Sequence, residues 1–316
     1  MQTSTIENAP RMTAAAGEDA TRARAPRDRL PRIRAPLAAQ GPCNRGGEDA
    51  TRARARRERL LGIGAPLAVL VLALGGWELF VRLNNIPPYL LPAPSRVLQT
   101  LWTQWGSLQP SLFFTAKLTL WALALAIVGG VGLGTLFALS RYVEVSLFPY
   151  AVILQVTPII AIAPLIMIYV DSTTVALLIC AWIVAFFPIL SNTVIGLRSA
   201  DHNLRDMFAL YRASPWQRFR HLLMPSALPY FMSGVRVSGG LALIGAVVSE
   251  FVAGAAGKET GLASRIFEAS FRSDVPLMFA ALLLVSLCGV LIFLATAWVS
   301  RKVLGHWHES ELKREQ

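Results

Sequence analysis

Few side chains in this 316-residue chain have the types and spacing for chemistry, and most of those are informative by what they deny. His202, His221, His306 and His308 all fall in polar segments, away from any apolar run that could shelter a serine partner. That argues against a membrane-embedded protease, which needs a nucleophile with its base, or paired acids, at membrane depth. GKET at 257–260 lacks the first glycine of a phosphate loop and the Ser/Thr directly after its lysine. SGG at 238–240 lies inside an apolar run, and HWHE at 306–309 has no partner set for zinc. Cys43, Cys180 and Cys288 form no spaced set, and the last two lie in apolar runs where a free thiol behaves as a small hydrophobe. The expectation is a chain that holds no metal or cofactor and neither binds nor hydrolyses ATP.

What remains is Glu250, in VVSEFVAG, about two-thirds of the way through an otherwise apolar stretch. An ionisable group at such depth is a functional candidate by default. With Ser249 beside it and Asn192 following Pro188, it outlines a candidate polar path through the molecule. Facing water and pairing with Arg236 are both open, but the two are fourteen positions apart. That is about 21 Å of helix, so no such pair forms within one helix. For Asn192, lining a path and bonding to a neighbouring helix are equally open.

The elements that must position these residues are membrane spans. Hydrophobic residues make up 54% of the chain and charged ones 16%, with a mean hydropathy of +0.50, too apolar for an ordinary soluble domain. Residues 118–140, 145–170, 172–197 and 275–300 contain no Asp, Glu, Lys or Arg, and each exceeds the roughly 20 residues a helix needs to cross the hydrocarbon core. Two further runs are interrupted only by Glu78 and Glu250. The pattern predicts an all-α integral membrane protein with spans at about 60–81, 112–140, 145–170, 173–197, 229–256 and 276–301. With both termini in the cytosol, the inner segments beyond the tail carry ten basic residues and the outer ones five, the bias of a cytosolic face. Thirteen basic and seven acidic residues among 1–59 supply six units of the net charge of +11. That charge is therefore mainly a topology signal, and nucleic acid is not an expected partner.

The tail is duplicated. GEDATRARAPRDRLPRIRAPLA at 17–38 returns at 47–68 with 17 of 22 positions identical, as expected of a tandem duplication or a start assigned too far upstream. Residues 1–59 are expected to be a disordered basic cytoplasmic tail, followed by one membrane domain over 60–308 and a short tail at 309–316. Ser95 can cap a short interfacial helix carrying Val97, Leu98, Leu101, Trp102 and Trp105 at helical spacing. Gly130 and Gly134 form a GxxxG that packs helices within one subunit in preference to a dimer seam. Pro149, Pro158, Pro164 and Pro188 inside the third and fourth spans suggest broken helices lining a conduit.

One polar segment does not fit a simple loop. From Asp201, the residues Leu204, Met207, Phe208 and Tyr211 draw one apolar stripe on a short helix, with Arg205 and Asp206 off it. A second helix starts at once: Ser214 is a natural N-cap, Pro215 suits the first helical position and Gln217 completes a capping box. Trp216, Phe219 and Leu223 then share a face, and Pro225 is expected to stop the helix by pushing Met224 out of the helical region. Such a face could lie in lipid headgroups. The double cap and Asp206 point instead to a shaped element for a protein groove.

This segment resembles the cytoplasmic EAA loop of the permease subunits of bacterial ABC importers. The motif's acid falls on Asp206, its two alanines on Met207 and Phe208, its glycine on Arg212, its isoleucine on Leu222 and its Leu-Pro on Met224 and Pro225. TPIIAIAPLIMIYV (157–170), FFPILSNTVIGLRSAD (186–201) and ALPYFMSGVRVSGGLALIGAVVSEFVAG (227–254) resemble the branch that imports nitrate, sulfonates, taurine and pyrimidine or flavin precursors. The resemblance covers about residues 60–308 and implies the type I ABC importer permease fold, six transmembrane helices with an EAA-type coupling loop. It implies a location in the bacterial inner membrane and a second permease copy, usually an identical one. It further implies ABC ATPase subunits that consume ATP and a periplasmic or lipid-anchored substrate-binding protein. Asp206, Met207, Phe208, Tyr211, Arg212, Ala213, Ser214, Trp216, Phe219, Leu222 and Pro225 would then dock in the ATPase, rigid capped helices transmitting its closure. Arg212 departs from the motif: if the glycine adopts positive φ, an arginine there costs about 1 kcal/mol or more. An ion-coupled secondary transporter without an ATPase is the alternative, with Glu250 taking the coupling proton.

Overall fold

The computed structural model describes residues 45–258 and 261–305, and regular structure among them is helical throughout. The chain divides into two units, residues 1–63 and 64–316. Of the first, only backbone from Arg45 onward is described, as the opening of α1 (Arg45–Leu83). The last part of the expected tail, from Arg45, is the start of that helix. EDATRARARRERLL is built largely from Ala, Arg, Glu and Leu, which favour helix intrinsically. The rest of the expected tail, with the first copy of the duplication, lies outside the described residues, as does 309–316.

In the second unit the described residues hold five helices long and apolar enough to cross a membrane, or six if a bent pair counts as one span. They are residues 64–83 of α1, α3 (Trp105–Leu139), the pair α4 (Arg141–Val156) and α5 (Ile159–Tyr169), α6 (Thr173–Arg198), α9 (Met224–Ala255) and α11 (Val275–Leu304). Four short helices join them: α2 (Pro94–Thr103), α7 (His202–Leu210), α8 (Pro215–Arg218) and α10 (Leu262–Phe271).

Of the four prolines expected to break spans, only Pro158 does so. Thr157, held extended at ψ 124° before the proline ring, returns its N–H and hydroxyl to the Ile153 carbonyl at 3.0 and 2.6 Å. α4 thus closes, and α5 leaves at 102° to it. Pro149, Pro164 and Pro188 sit inside continuous helices.

α2 also begins differently from expectation. Its N-cap is Ala93, and Ser95 lies inside the first turn, where its N–H and hydroxyl both donate to Glu78 of α1 at 3.0 and 2.7 Å. A carboxylate from another helix thus accepts the free Ser95 N–H of the first turn. Arg82 donates to the same carboxylate at 2.6 Å. Glu78 is a structural clasp between α1 and α2.

The core lies where α3, α6 and α9 pack, around Ala122, Ala126, Phe137, Ala181, Ile189, Leu190, Ala242 and Ala246. Small residues set the approach: a Cβ on Gly130 would lie 2.8 Å from Ile189 Cγ2, one on Gly134 2.9 Å from Thr193 Cβ, and one on Gly245 2.9 Å from Ala181 Cα. The GxxxG of α3 therefore packs against α6 of the same chain, and Ser238 adds a buried hydrogen bond from α9 to the Ala185 carbonyl at 2.7 Å. Gly132, two residues along, has nothing within 4 Å of such a Cβ. Gly130→Val is expected to lower stability by about 2 kcal/mol or more through overpacking. Gly132→Val should be near neutral, and thermal unfolding of the two purified proteins distinguishes them.

Candidate functional site

The segment from Arg198 to Pro225 is built as two short helices fastened to the ends of two long ones. Ser199, capping α6, sends its hydroxyl to Gly196 O at 2.8 Å and to Ser226 O of α9 at 3.3 Å. Gly196 sits so close to α9 that an added Cβ would lie 2.9 Å from Ala227 Cα, so the roots of the segment are pinned together. Asp201 caps α7 by accepting the Asn203 N–H at 2.7 Å. Arg205 reaches back to donate to the Arg198 carbonyl at 2.8 Å, complementing the negative end of α6.

α7 ends in a Schellman motif: Ala213 N–H bonds Phe208 O and Arg212 N–H bonds Ala209 O, each at 3.0 Å. The left-handed position this motif requires is occupied by Arg212, at φ 50°. The residue aligned with the motif glycine does need glycine's conformation. Arg212→Gly is accordingly expected to stabilise the protein by about 1 kcal/mol, read as a rise in Tm.

α8 starts with the expected capping box, Gln217 N–H to Ser214 Oγ at 3.3 Å and Ser214 N–H to Gln217 Oε1 at 2.9 Å. Pro225 does not end the helix. Phe219–Leu223 form a π-helical turn, Met224 keeps helical angles (φ −62°, ψ −46°), and its N–H returns to Phe219 O. The wider turn accommodates the proline, whose missing N–H and bulky ring would clash with a tight α ladder. α8 therefore runs into α9 without interruption from Pro215 to Ala255.

These caps fix which side chains face outward. Met207, Tyr211 and Trp216 are exposed, the last at 66%, with Leu204 and Leu210 beside them. Trp216 stacks on Phe219 with ring centroids 6.0 Å apart. Phe208, Ala213, Phe219 and Pro225 are half-buried and Leu222 is buried, so these support the outer face from beneath. Asp206 is exposed and meets His202 Nδ1 at 3.2 Å. Leu210, 83% exposed, was not singled out by the sequence stripe, although it follows Met207 by three residues.

The segment is also tied to the bent pair. Arg198 grips Glu144 in the first turn of α4 with two bonds, at 2.7 and 2.9 Å, and Arg141 adds a third at 3.2 Å.

Glu250 is a buried contact between helices. It is fully buried. Oε2 accepts from Thr115 Oγ1 of α3 at 3.0 Å and from the Ala263 N–H at 3.2 Å, while Leu262 N–H donates to Thr115 Oγ1 at 3.0 Å. Carboxylate and hydroxyl together serve the first N–H groups of α10, a polar clasp joining α9, α3 and α10. Ser264 donates to Glu250 O at 2.9 Å. Arg236 is not a partner. Ser249, equally buried, bonds Ala246 O at 2.9 Å within its own helix. Asn192 is half-buried and donates to Pro188 O at 2.8 Å beside Gly234. The hydrogen bonds given to these three side chains run to neighbouring helices or to their own helix backbone.

Among the described residues no cluster of His, Cys, Asp or Glu could hold a metal ion. Residues 126–305 match the family model described as the binding-protein-dependent transport system inner membrane component. The chain is 33% identical over 243 residues to the riboflavin transport system permease protein RibX of Chloroflexus aurantiacus, covering 76% of this chain and 89% of that one. It is 36% identical over 225 residues to the formylaminopyrimidine transport permease protein ThiX of Halalkalibacterium halodurans, covering 69% and 86%. A solved inward-facing structure of the MetNI methionine ABC transporter shares the fold, with TM-score 0.52 and 19% identity over 62% of this chain and 95% of that one.

Proposed function

This chain belongs to the family of binding-protein-dependent transport inner membrane components, a multi-pass permease of the ABC importer class, and from that premise we propose how it is driven and what it carries. The segment 201–225 is a coupling loop on the cytosolic side, both termini lie in the cytosol, and two copies of the chain form the channel. ABC ATPase subunits seat the loop in a groove, and a substrate-binding protein delivers the solute to the opposite face. The observation that supports this most is the outward face of Met207, Leu210, Tyr211 and Trp216, held on two stiffly capped helices outside the spans. Apolar anchors on a short rigid helix are the pattern of helix-in-groove recognition. Rigidity matters because a displacement passes on only through elements that do not themselves yield.

The cargo is a small solute of the flavin or pyrimidine-precursor class, supported by the two curated relatives reported above. An ion-coupled transporter is not favoured, because the family works with a binding protein.

The test is to co-express the chain with candidate ATPase and binding-protein subunits, purify through a tag on the chain, and reconstitute. ATPase in the eluate and ATP-dependent uptake of riboflavin or formylaminopyrimidine are the expected results. Uptake that follows a proton gradient with no ATPase present would overturn the reading.

A further inference from the structure

At the root of the same segment, a cavity of about 330 Å³ opens between the ends of α3 and α6 and the turn joining α7 to α8. Its lining has two characters: Leu139, Leu197 and Leu223 form an apolar wall, and Arg198, Arg205 and Arg218 supply guanidinium groups. The three arginines are not equivalent. Arg198 is compensated by Glu144. Arg205 spends a terminal nitrogen on the Arg198 and Leu197 carbonyls at 2.8 and 3.4 Å, leaving its Nε buried with no hydrogen-bond partner. Neither Arg205 nor Arg218 meets a carboxylate among the described residues. A buried donor lacking an acceptor is uncommon in native folds, and an ordered water or a bound ion is among the groups that satisfy one.

The missing group can be specified by chemistry. It must be anionic and offer several acceptor oxygens, because guanidinium forks match phosphate geometry in pairs. It must also tolerate an apolar wall where the long helices end. We propose that this cavity is a binding site for a phosphate-bearing anion, either the headgroup of an anionic phospholipid or free phosphate, held by Arg205 and Arg218. The bound anion would bridge α7 to α8 and brace the segment from the side facing the spans. The proposal is independent of whether the outer face docks an ATPase.

The experiment uses the full chain in nanodiscs, either phosphatidylcholine with phosphatidylglycerol or phosphatidylcholine alone. Retained phosphatidylglycerol is read by native mass spectrometry, and inorganic phosphate binding in the second disc by Trp216 fluorescence. Arg218→Gln, which removes no hydrogen bond described above, is expected to weaken the bound species about fivefold, and Arg220→Gln, an arginine outside the cavity, to leave it unchanged. Arg205→Gln should weaken it at least as much, with Arg205→Lys restoring part of the loss. Arginine-dependent retention of phosphatidylglycerol assigns the headgroup, and a saturable, Arg218-dependent phosphate response without lipid retention assigns the free anion. If both readouts in Arg218→Gln match Arg220→Gln, the site is not as proposed.

Discussion

Trp216→Ala is expected to release the ATPase and abolish ATP-driven uptake while leaving the permease folded. The indole is two-thirds exposed, stacks on Phe219, and stands on a helix fixed by a complete capping box. Truncating a central aromatic anchor of a protein groove typically removes about 2–4 kcal/mol, roughly 30- to 1,000-fold in affinity. Little of that should appear in Tm, because an exposed ring contributes little to its own fold. Phe208→Ala gives the opposite signature: the ring is half-buried on the turn whose carbonyl closes the Schellman motif, so its loss lowers Tm first. Co-purification of the ATPase measured beside thermal unfolding separates the two. Full ATPase retention by Trp216→Ala would remove this face from the docking surface.

Gly261→Ala is expected to be as damaging without touching that face. A Cβ at this position would fall within the Glu250 carboxylate. A side-chain tip can often swing aside, but this one is fully buried and tethered to Thr115 Oγ1 and the Ala263 N–H. Moving it breaks both bonds and strips the start of α10 of its acceptor, a loss of about 3 kcal/mol or more from overpacking and unsatisfied buried groups. Tm and the yield of folded protein report it. Glu250→Ala also destabilises, but in that background Gly261→Ala should add little, because the atom it strikes is gone. Two additive losses would refute the clasp.

What the sequence makes legible follows physical range. Continuous apolar runs made the spans legible, and caps were legible where donor and acceptor are three residues apart, as in Ser214 and Gln217. Position 212 was flagged by resemblance to a motif, and its positive φ confirms the backbone demand. Contacts across many residues were not legible. Nothing near Glu250 names Thr115, 135 residues away, so the clasp is visible only in the fold. Ser95 looked like a cap until Glu78, 17 residues earlier, proved to be the acceptor. Prolines mislead for a related reason: Pro158 breaks its span and Pro225 does not, because neighbouring backbone absorbed the second in a π turn.

That turn leaves the two sides of the loop mechanically unlike. On one side α7 joins α6 through a short non-helical corner at 199–201. On the other, helix is unbroken for 41 residues from Pro215 to Ala255, about 60 Å of rod. The rod carries Trp216 at one end and the Glu250 clasp near the other. A push applied at Trp216 would enter α9 through the π turn at 219–223 and pass Pro229 before Glu250, with no break in the helix. The proposed coupling would then reach the Glu250 clasp along one helix, whereas α6 would receive it across the corner at 199–201.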